Sequence, residues 1–188
     1  MSDFTSQLQM LLANDPEYRA AYERTWDVLT DAETRAQSTI DALEAQLERD
    51  EAALEALTRS AASLPDGTKV FRAADGSLKT QEGTDVSHLS DHVVWRGDEP
   101  SWEDYRDQQA RTENLRGDLD AWRYYQVETL GHARDRLSDE DNPPSVEELD
   151  EIQRDIEAKM PQAPEPTEPA EAADIAVSPA AKIEIPAI

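Results

Sequence analysis

Residues 39–57, TIDALEAQLERDEAALEAL, decide the fold of this chain, because their apolar residues recur at spacings of three, four and seven. These spacings place the apolar side chains at the a and d positions of a heptad, on one stripe of an α-helix. Glu33 and Asp50 fall on the same stripe and interrupt it with polar groups. A stripe of this length must be covered by another element. Its apolar members in this stretch are Ile40, Leu43, Leu47, Leu54 and Leu57.

The helix that carries this stripe is predicted to cover residues 15–63. Asp15 can cap its N-terminus, Pro16 suits the first helical position, and the heptad extends back to Tyr22. Residues 1–14 precede it and are predicted to form a short amphipathic helix.

A second long helix is predicted over residues 101–139, where Ser101 is a good N-cap and apolar residues again follow spacings of three and four. The e and g positions beside the first stripe carry no Lys or Arg, so a parallel homodimer would lack interhelical ion pairs. We therefore expect the second helix to cover the first within one chain, in the opposite direction. Gly117 and Gly131 lie inside the second helix and predict close approach of its neighbour or a kink.

Residues 64–100 connect the two helices and contain a hairpin signal, Asp75-Gly76, within the stretch VFRAADGSLKTQEG. A two-residue loop would pair Phe71 with Thr80, and a four-residue loop would pair Phe71 with Leu78. Both registers place Phe71 and Leu78 on the same face of the hairpin.

An isolated hairpin is only marginally stable in water, so this one needs a cover. The expected cover is Leu64, Leu89, Val94 and Trp95, or the ends of the helices. Val93–Trp95 either add a third strand or simply pack on this face. The connector is therefore predicted to be a folded cap over the turn between the helices.

The end of the chain divides into a helix and a tail. Residues 145–160 are predicted to form a short third helix, since Ser145 and Glu148 make a capping-box pattern ahead of an apolar stripe. Residues 161–188 hold six of the eleven prolines and no aromatic residue, which is typical of a disordered acidic tail.

The predicted fold is therefore mainly α. It consists of a long antiparallel helical hairpin, coiled-coil-like, with a small β-hairpin cap at the turn, a short third helix and a disordered acidic C-terminal tail.

Charge and composition restrict the classes of function. The formal net charge is -24, from 42 Asp and Glu against 18 Lys and Arg, so the chain repels nucleic acid and anionic lipid surfaces. It has no Cys, and neither a signal peptide nor an apolar run long enough to span a membrane is recognisable. These features favour a soluble, cytoplasmic protein.

The sequence contains no recognisable catalytic or cofactor-binding motif. His88 and His92 have the i, i+4 spacing of a helical zinc site, and Asp85 and Asp91 are nearby. A zinc site needs a third and a fourth ligand fixed in place, however, and the sequence shows no such pattern. We therefore predict no enzymatic activity, no cofactor and no metal.

The expected function is a non-enzymatic interaction with another protein, as an assembly factor, adaptor or scaffold. Binding is predicted at the tip of the helices, along the helical seam, or through the apolar C-terminal segment. The alternative is an acidic neutralising inhibitor, antitoxin-like, immunity-like or a nucleic-acid mimic, that covers a basic surface. Whether the protein is a monomer or a homo-oligomer stays open. The candidate partner-binding residues are Phe71, Arg72, Lys79, Ile183, Ile185 and Ile188.

Overall fold

The computed structural model of the chain describes residues 5–164, which are mainly helical and include a small antiparallel sheet. In this part of the chain the α-helices are α1 (Gln7–Asn14), α2 (Pro16–Ser60), α3 (Trp102–Tyr124), α4 (Gly131–Leu137) and α5 (Val146–Ala158). A π-helical segment, Tyr125–Leu130, joins α3 to α4, and a 3-10 helix spans Ser87–His92. The strands are β1 (Ala62–Ser63), β2 (Lys69–Arg72) and β3 (Leu78–Thr80). No helix within residues 5–164 is long and apolar enough to cross a membrane.

The predicted helix starts are present. The Asp15 carboxylate accepts hydrogen bonds from the backbone N–H groups of Glu17 and Tyr18, both at 3.0 Å. Ser101 and Ser145 each form a capping box, at the starts of α3 and α5. These side chains satisfy N–H groups that have no partner inside the helix.

The buried stripe of α2 begins one turn earlier than the heptad predicts. Tyr18 is buried ahead of the predicted members, and Ala21 and Thr25 are buried in place of the predicted Tyr22 and Trp26. Leu47 and Leu54 are only partly buried. The first half of α2 is deeply covered because α1, α4 and α5 pack on it, whereas the ion pairs of α3 fall on the second half. Its remaining buried members are Leu29, Ala32, Ala36, Ile40, Leu43 and Asp50.

Three ion pairs join α2 to the helices that follow the cap. As the residue numbers rise along α2, those of the arginines fall by the same steps, so the facing helices run in opposite directions. Exposed ion pairs contribute little free energy, about 0–1 kcal/mol each, but they are specific to one register. The pairs are Glu33–Arg134, Glu44–Arg123 and Glu51–Arg116.

Two tyrosines near the start of α2 hold the connector between α4 and α5. The Tyr22 hydroxyl donates to the Leu137 carbonyl at 2.8 Å, and the Tyr18 hydroxyl donates to the Pro144 carbonyl at 3.0 Å. Leu137 ends α4, and the last carbonyls of a helix lack partners within it. The hydroxyls therefore satisfy backbone groups in a part-buried region.

The hydroxyl of Tyr125 makes a similar hydrogen bond to the backbone of α5. Tyr125 opens the π-helical segment, is 2% exposed, and donates its hydroxyl to the Ile156 carbonyl at 2.7 Å. Burial raises the pKa of Tyr125 to about 12, and the charge of Arg35 offsets part of this effect. Tyr124 beside it is 70% exposed, so only one of the two adjacent tyrosines is in the core, as their adjacency predicts.

The expected close approach at the two helical glycines is wrong. A Cβ built on Gly117 would meet nothing within 4 Å, and one on Gly131 would meet only the Gln126 carbonyl of the π-helical segment, at 3.8 Å. Neither glycine is therefore required by a neighbouring helix.

Gly117→Ala is expected to raise the free energy of unfolding by about 1 kcal/mol, because alanine restricts the unfolded chain and has better helix propensity. Urea unfolding followed by circular dichroism measures this change. Gly76→Ala is the contrasting variant, since its φ of +85° is unfavourable for alanine, and should lose about 1 kcal/mol. Destabilisation by Gly117→Ala would contradict the open environment of that position.

Tyr125→Phe is expected to lower the stability at pH 7 by about 1 kcal/mol, because the Ile156 carbonyl loses its donor. The pKa of Tyr125 is higher in the folded protein than its ordinary value of 10.0, so the unfolded chain releases its proton first as pH rises. Stability should therefore fall between pH 10 and about 12 more steeply in the wild type than in Tyr125→Phe. Equal slopes in urea titrations across this range would contradict the burial of the hydroxyl.

Candidate functional site

The cap is the part of the fold that departs from the helical pattern, and it lies where α2 ends and α3 begins. Its sheet has the strand order β1-β2-β3, with antiparallel pairing throughout. The strand added to the predicted hairpin is β1, Ala62–Ser63, directly after α2. Val93–Trp95 do not form a strand. The sheet is therefore continuous in sequence with the end of the long helix.

Neither predicted hairpin register is correct. Phe71 pairs with Lys79, because the loop has three residues and Gly76 adopts a φ of +85° after the turn. The Ala73 and Ser77 backbones close this loop with a hydrogen bond of 2.8 Å. A shift of one residue reverses the face on which a side chain lies, so Phe71 and Leu78 are on opposite faces.

One face of the sheet packs against the two long helices. The Phe71 ring stacks on Tyr105 of α3 with centroids 4.5 Å apart, and Trp102 lies 6.3 Å from it. Phe71 is 0% exposed, with Ala61 from the end of α2 in the same cluster. Phe71 is therefore a core residue of the cap, and its inclusion among the candidate binding residues is corrected.

The opposite face is covered by the segment that leads to α3. Leu64, Val70 and Leu78 form a second cluster with Val93, and Leu89 and Trp95 pack at its edge. Val93 packs on this cluster in the place predicted for Val94, and Val94 is 84% exposed. Apolar side chains therefore cover both faces of the sheet in the cap.

Arg72 and Trp95 form a pair at the surface of the cap, with Arg72 exposed and Trp95 half-buried. The Arg72 guanidinium lies 4.1 Å from the centroid of the Trp95 ring, within cation–π distance. Both residues border a groove of about 510 Å³ that also contacts Pro100 and Glu103. We call Arg72 and Trp95, with the groove that they border, the cap surface.

Carboxylates hold the backbone around this groove. Glu103 accepts a hydrogen bond from the Ala74 backbone N–H at 2.9 Å, which fixes the hairpin loop to α3. Glu99 accepts from the backbone N–H groups of Arg96 and Gly97, and these bonds lower the pKa of Glu99. The groove is therefore bordered by a fixed backbone.

The other predicted site residues lie elsewhere. Lys79 is on β3, half-buried, with its ammonium 3.5 Å from the Asp85 carboxylate. The pKa of Asp85 is lowered mainly by hydrogen bonds from the Ser87 hydroxyl and backbone N–H, and less by Lys79. Lys79 does not border the groove that Arg72 and Trp95 share. Three candidates lie outside the described residues: Ile183, Ile185 and Ile188.

His88 and His92 occupy the 3-10 helix, not an α-helix, and both are exposed. Residues i and i+3 are eclipsed in a 3-10 helix, so i and i+4 point about a third of a turn apart. Within residues 5–164 no three His, Asp or Glu side chains are grouped to hold a metal ion.

Val94 is the surface residue that the sequence reasoning misassigned. Period-two alternation through Val93, Val94 and Trp95 would have placed the middle residue opposite its neighbours. The backbone leaves the 3-10 helix in an extended conformation at Val93, with φ −100° and ψ 130°, as that alternation requires.

Phe71→Ala is expected to destabilise the protein by about 3–5 kcal/mol, as for other large aromatic residues in a core. Val94→Ser should change stability by no more than about 0.5 kcal/mol, because the side chain is almost fully solvated. Thermal and urea unfolding of the two variants measure this difference. A large loss in Val94→Ser would show that Val94, not Val93, supports the cap.

Comparisons of the chain with protein-family models, with curated proteins and with solved structures found no match.

Proposed function

We propose that this chain is a non-enzymatic interaction protein of the cytoplasm, an assembly factor, adaptor or scaffold, that binds another protein through the cap surface. The observation that carries the proposal is the pairing of Arg72 with Trp95 at the border of the groove. Arginine and tryptophan are enriched among the residues that dominate binding energies at protein interfaces.

The cap surface is suited to recognition because its groups are held before a partner arrives. Arg72 is on a paired strand, and Trp95 packs at the edge of the cap core. A side chain that is already ordered loses less entropy on binding. An apolar side chain of the partner can enter the groove against Trp95, with Arg72 and Glu103 available for polar contacts at its border.

The length of the long helices sets the distance between the cap surface and α5. As part of the proposal, α2 and α3 with α4 act as a coiled-coil-like antiparallel hairpin that displays the cap at one end. The 45 residues of α2 correspond to a length of about 68 Å. The cap is then far from α5, which packs on the first half of α2.

An acidic neutralising inhibitor is the second candidate. Its support is the distribution of charge: several arginines are already paired with carboxylates of the same chain, among them Arg116, Arg123 and Arg134. With 42 acidic residues, many carboxylates stay available to a basic partner. Such a complex should weaken steeply as salt is added, unlike an apolar contact.

The experiment compares three forms of the full chain as bait in an extract of its source. They are the wild type, a cap variant with Arg72→Ala, and a matched control with Arg24→Ala, which removes an exposed arginine of α2 outside the cap. A partner that binds the cap surface should be enriched by the wild type and the control but not by the cap variant. With the purified partner, calorimetry should then give at least about thirtyfold weaker binding to the cap variant, as for loss of a central contact.

Two results would overturn the cap surface as the binding site. Undiminished binding by the cap variant, combined with loss of binding at about 0.5 M salt, would favour the acidic inhibitor. Undiminished binding by the cap variant, combined with loss on deletion of residues 181–188, would place recognition at the apolar C-terminal segment.

A further inference from the structure

A groove between α2 and α3 already contains the first residues of the C-terminal segment. α5 ends at Ala158, Met160 packs on the main core, and Ala163 and Pro164 then line a groove of about 500 Å³. We call it the tail groove. Its helical lining includes Arg35, Ala42, Leu43, Gln46 and Arg49 of α2 and Leu115 of α3.

The tail groove begins where α5 stops covering α2. Ile156, near the end of α5, is bonded by Tyr125, and Arg35 lies close enough to Tyr125 to affect its pKa. Pro164 lines the groove together with Leu43 of α2 and Leu115 of α3, so the chain runs from α5 toward the cap. Arg49 lies further along α2 in that same direction.

The charge of the tail groove is unlike that of the rest of the protein. Arg35 and Arg49 line it and no carboxylate does, although acidic residues outnumber basic ones by 42 to 18. Within residues 5–164, neither arginine forms an ion pair, and Arg49 donates only to the Gln46 side-chain oxygen, at 2.7 Å. The guanidinium groups of Arg35 and Arg49 are therefore free to bind carboxylates within the part of the chain that the structure describes.

The sequence that follows Pro164 supplies such partners. Residues 165–174, EPTEPAEAAD, carry a carboxylate at every third position and no basic residue. An extended Pro-rich chain has three residues per turn in the polyproline II conformation, which places every third side chain along one edge. The carboxylates in question are Glu165, Glu168, Glu171 and Asp174.

We infer that the segment of residues 165–174 binds along the α2 side of the chain's own tail groove, with its first carboxylates held by Arg49, the arginine that lies ahead of Pro164 in the direction of the chain. A neighbouring depression on α3 also contacts Pro164, but it is lined by Asp107, Glu113 and Asp118 as well as Arg111. Those carboxylates repel an acidic segment, so the α2 side is the favoured path. This inference is independent of the cap surface and of the proposed function.

A nitroxide spin label tests the inference directly, because the natural chain has no Cys. The label is attached to Ala172→Cys in the full chain, and its broadening of backbone amide NMR signals is measured. Signals of Ala42 and Gln46 in the tail groove should broaden, whereas those of α1 should not. The broadening should be lost at about 1 M salt, where the screening length is about 3 Å.

Charge variants supply the matched control. Arg35→Gln with Arg49→Gln should abolish the broadening, and Arg24→Gln with Arg59→Gln, which removes two exposed arginines outside the groove, should leave it unchanged. Circular dichroism establishes that both double variants keep the helical fold.

Three results would overturn the inference. They are the absence of broadening in the groove, broadening that survives Arg35→Gln with Arg49→Gln, and broadening seen only between chains. The last is detected by mixing spin-labelled chains with isotope-labelled chains that lack the nitroxide, and it would assign the groove to the segment of a second copy. Each result leaves the binding experiment on the cap variant unaffected.

Discussion

The apolar stripe of α2 is the constraint on which the rest of the structure depends. A single helix of 45 residues cannot bury its own stripe, so the remaining elements are placed where they cover it. α3 and α4 return along it in the opposite direction, and α1 and α5 complete the cover of its first half. The β cap then fills the end, where Phe71 joins Ala61 and Tyr105.

Directional polar contacts select one arrangement among the many that would bury the same apolar surface. The cross-helix ion pairs contribute little energy, but they match only one register of α2 against the returning helices. The hydroxyls of Tyr18 and Tyr22 hold the connector before α5, and that of Tyr125 holds α5 itself, since each donates to a backbone carbonyl at or near a helix end. The π-helical segment belongs to this arrangement, because it begins with Tyr125 beneath α5.

Local chemistry in the sequence predicted the elements better than it predicted their contacts. The caps at Asp15, Ser101 and Ser145 follow from side chains adjacent to the groups they bond, so a single sequence is sufficient. The hairpin register depends on one residue of loop length, and both predicted lengths missed the three-residue loop. The spacing of the apolar residues also did not predict the π-helical segment that begins at Tyr125.

The same difference applies to the candidate site. Arg72 stands out in the sequence because it is a cation at the tip of an acidic chain, and its side chain is exposed beside Trp95. Phe71 was misassigned because its burial depends on Tyr105, more than thirty residues away in sequence. Trp95 gains its place in the site only from the fold, which brings it to Arg72.

Cross-linking within one molecule tests most directly that α2 is covered by the returning helix of its own chain. Glu44→Cys with Arg123→Cys replaces one ion pair by two thiols in a chain that has no other Cys. A short bis-maleimide should join them within a monomer, and mass spectrometry of mixed light and heavy isotope-labelled chains should show no mixed product. Cross-links found only between light and heavy chains would contradict this account, because α2 would then be covered by a second molecule.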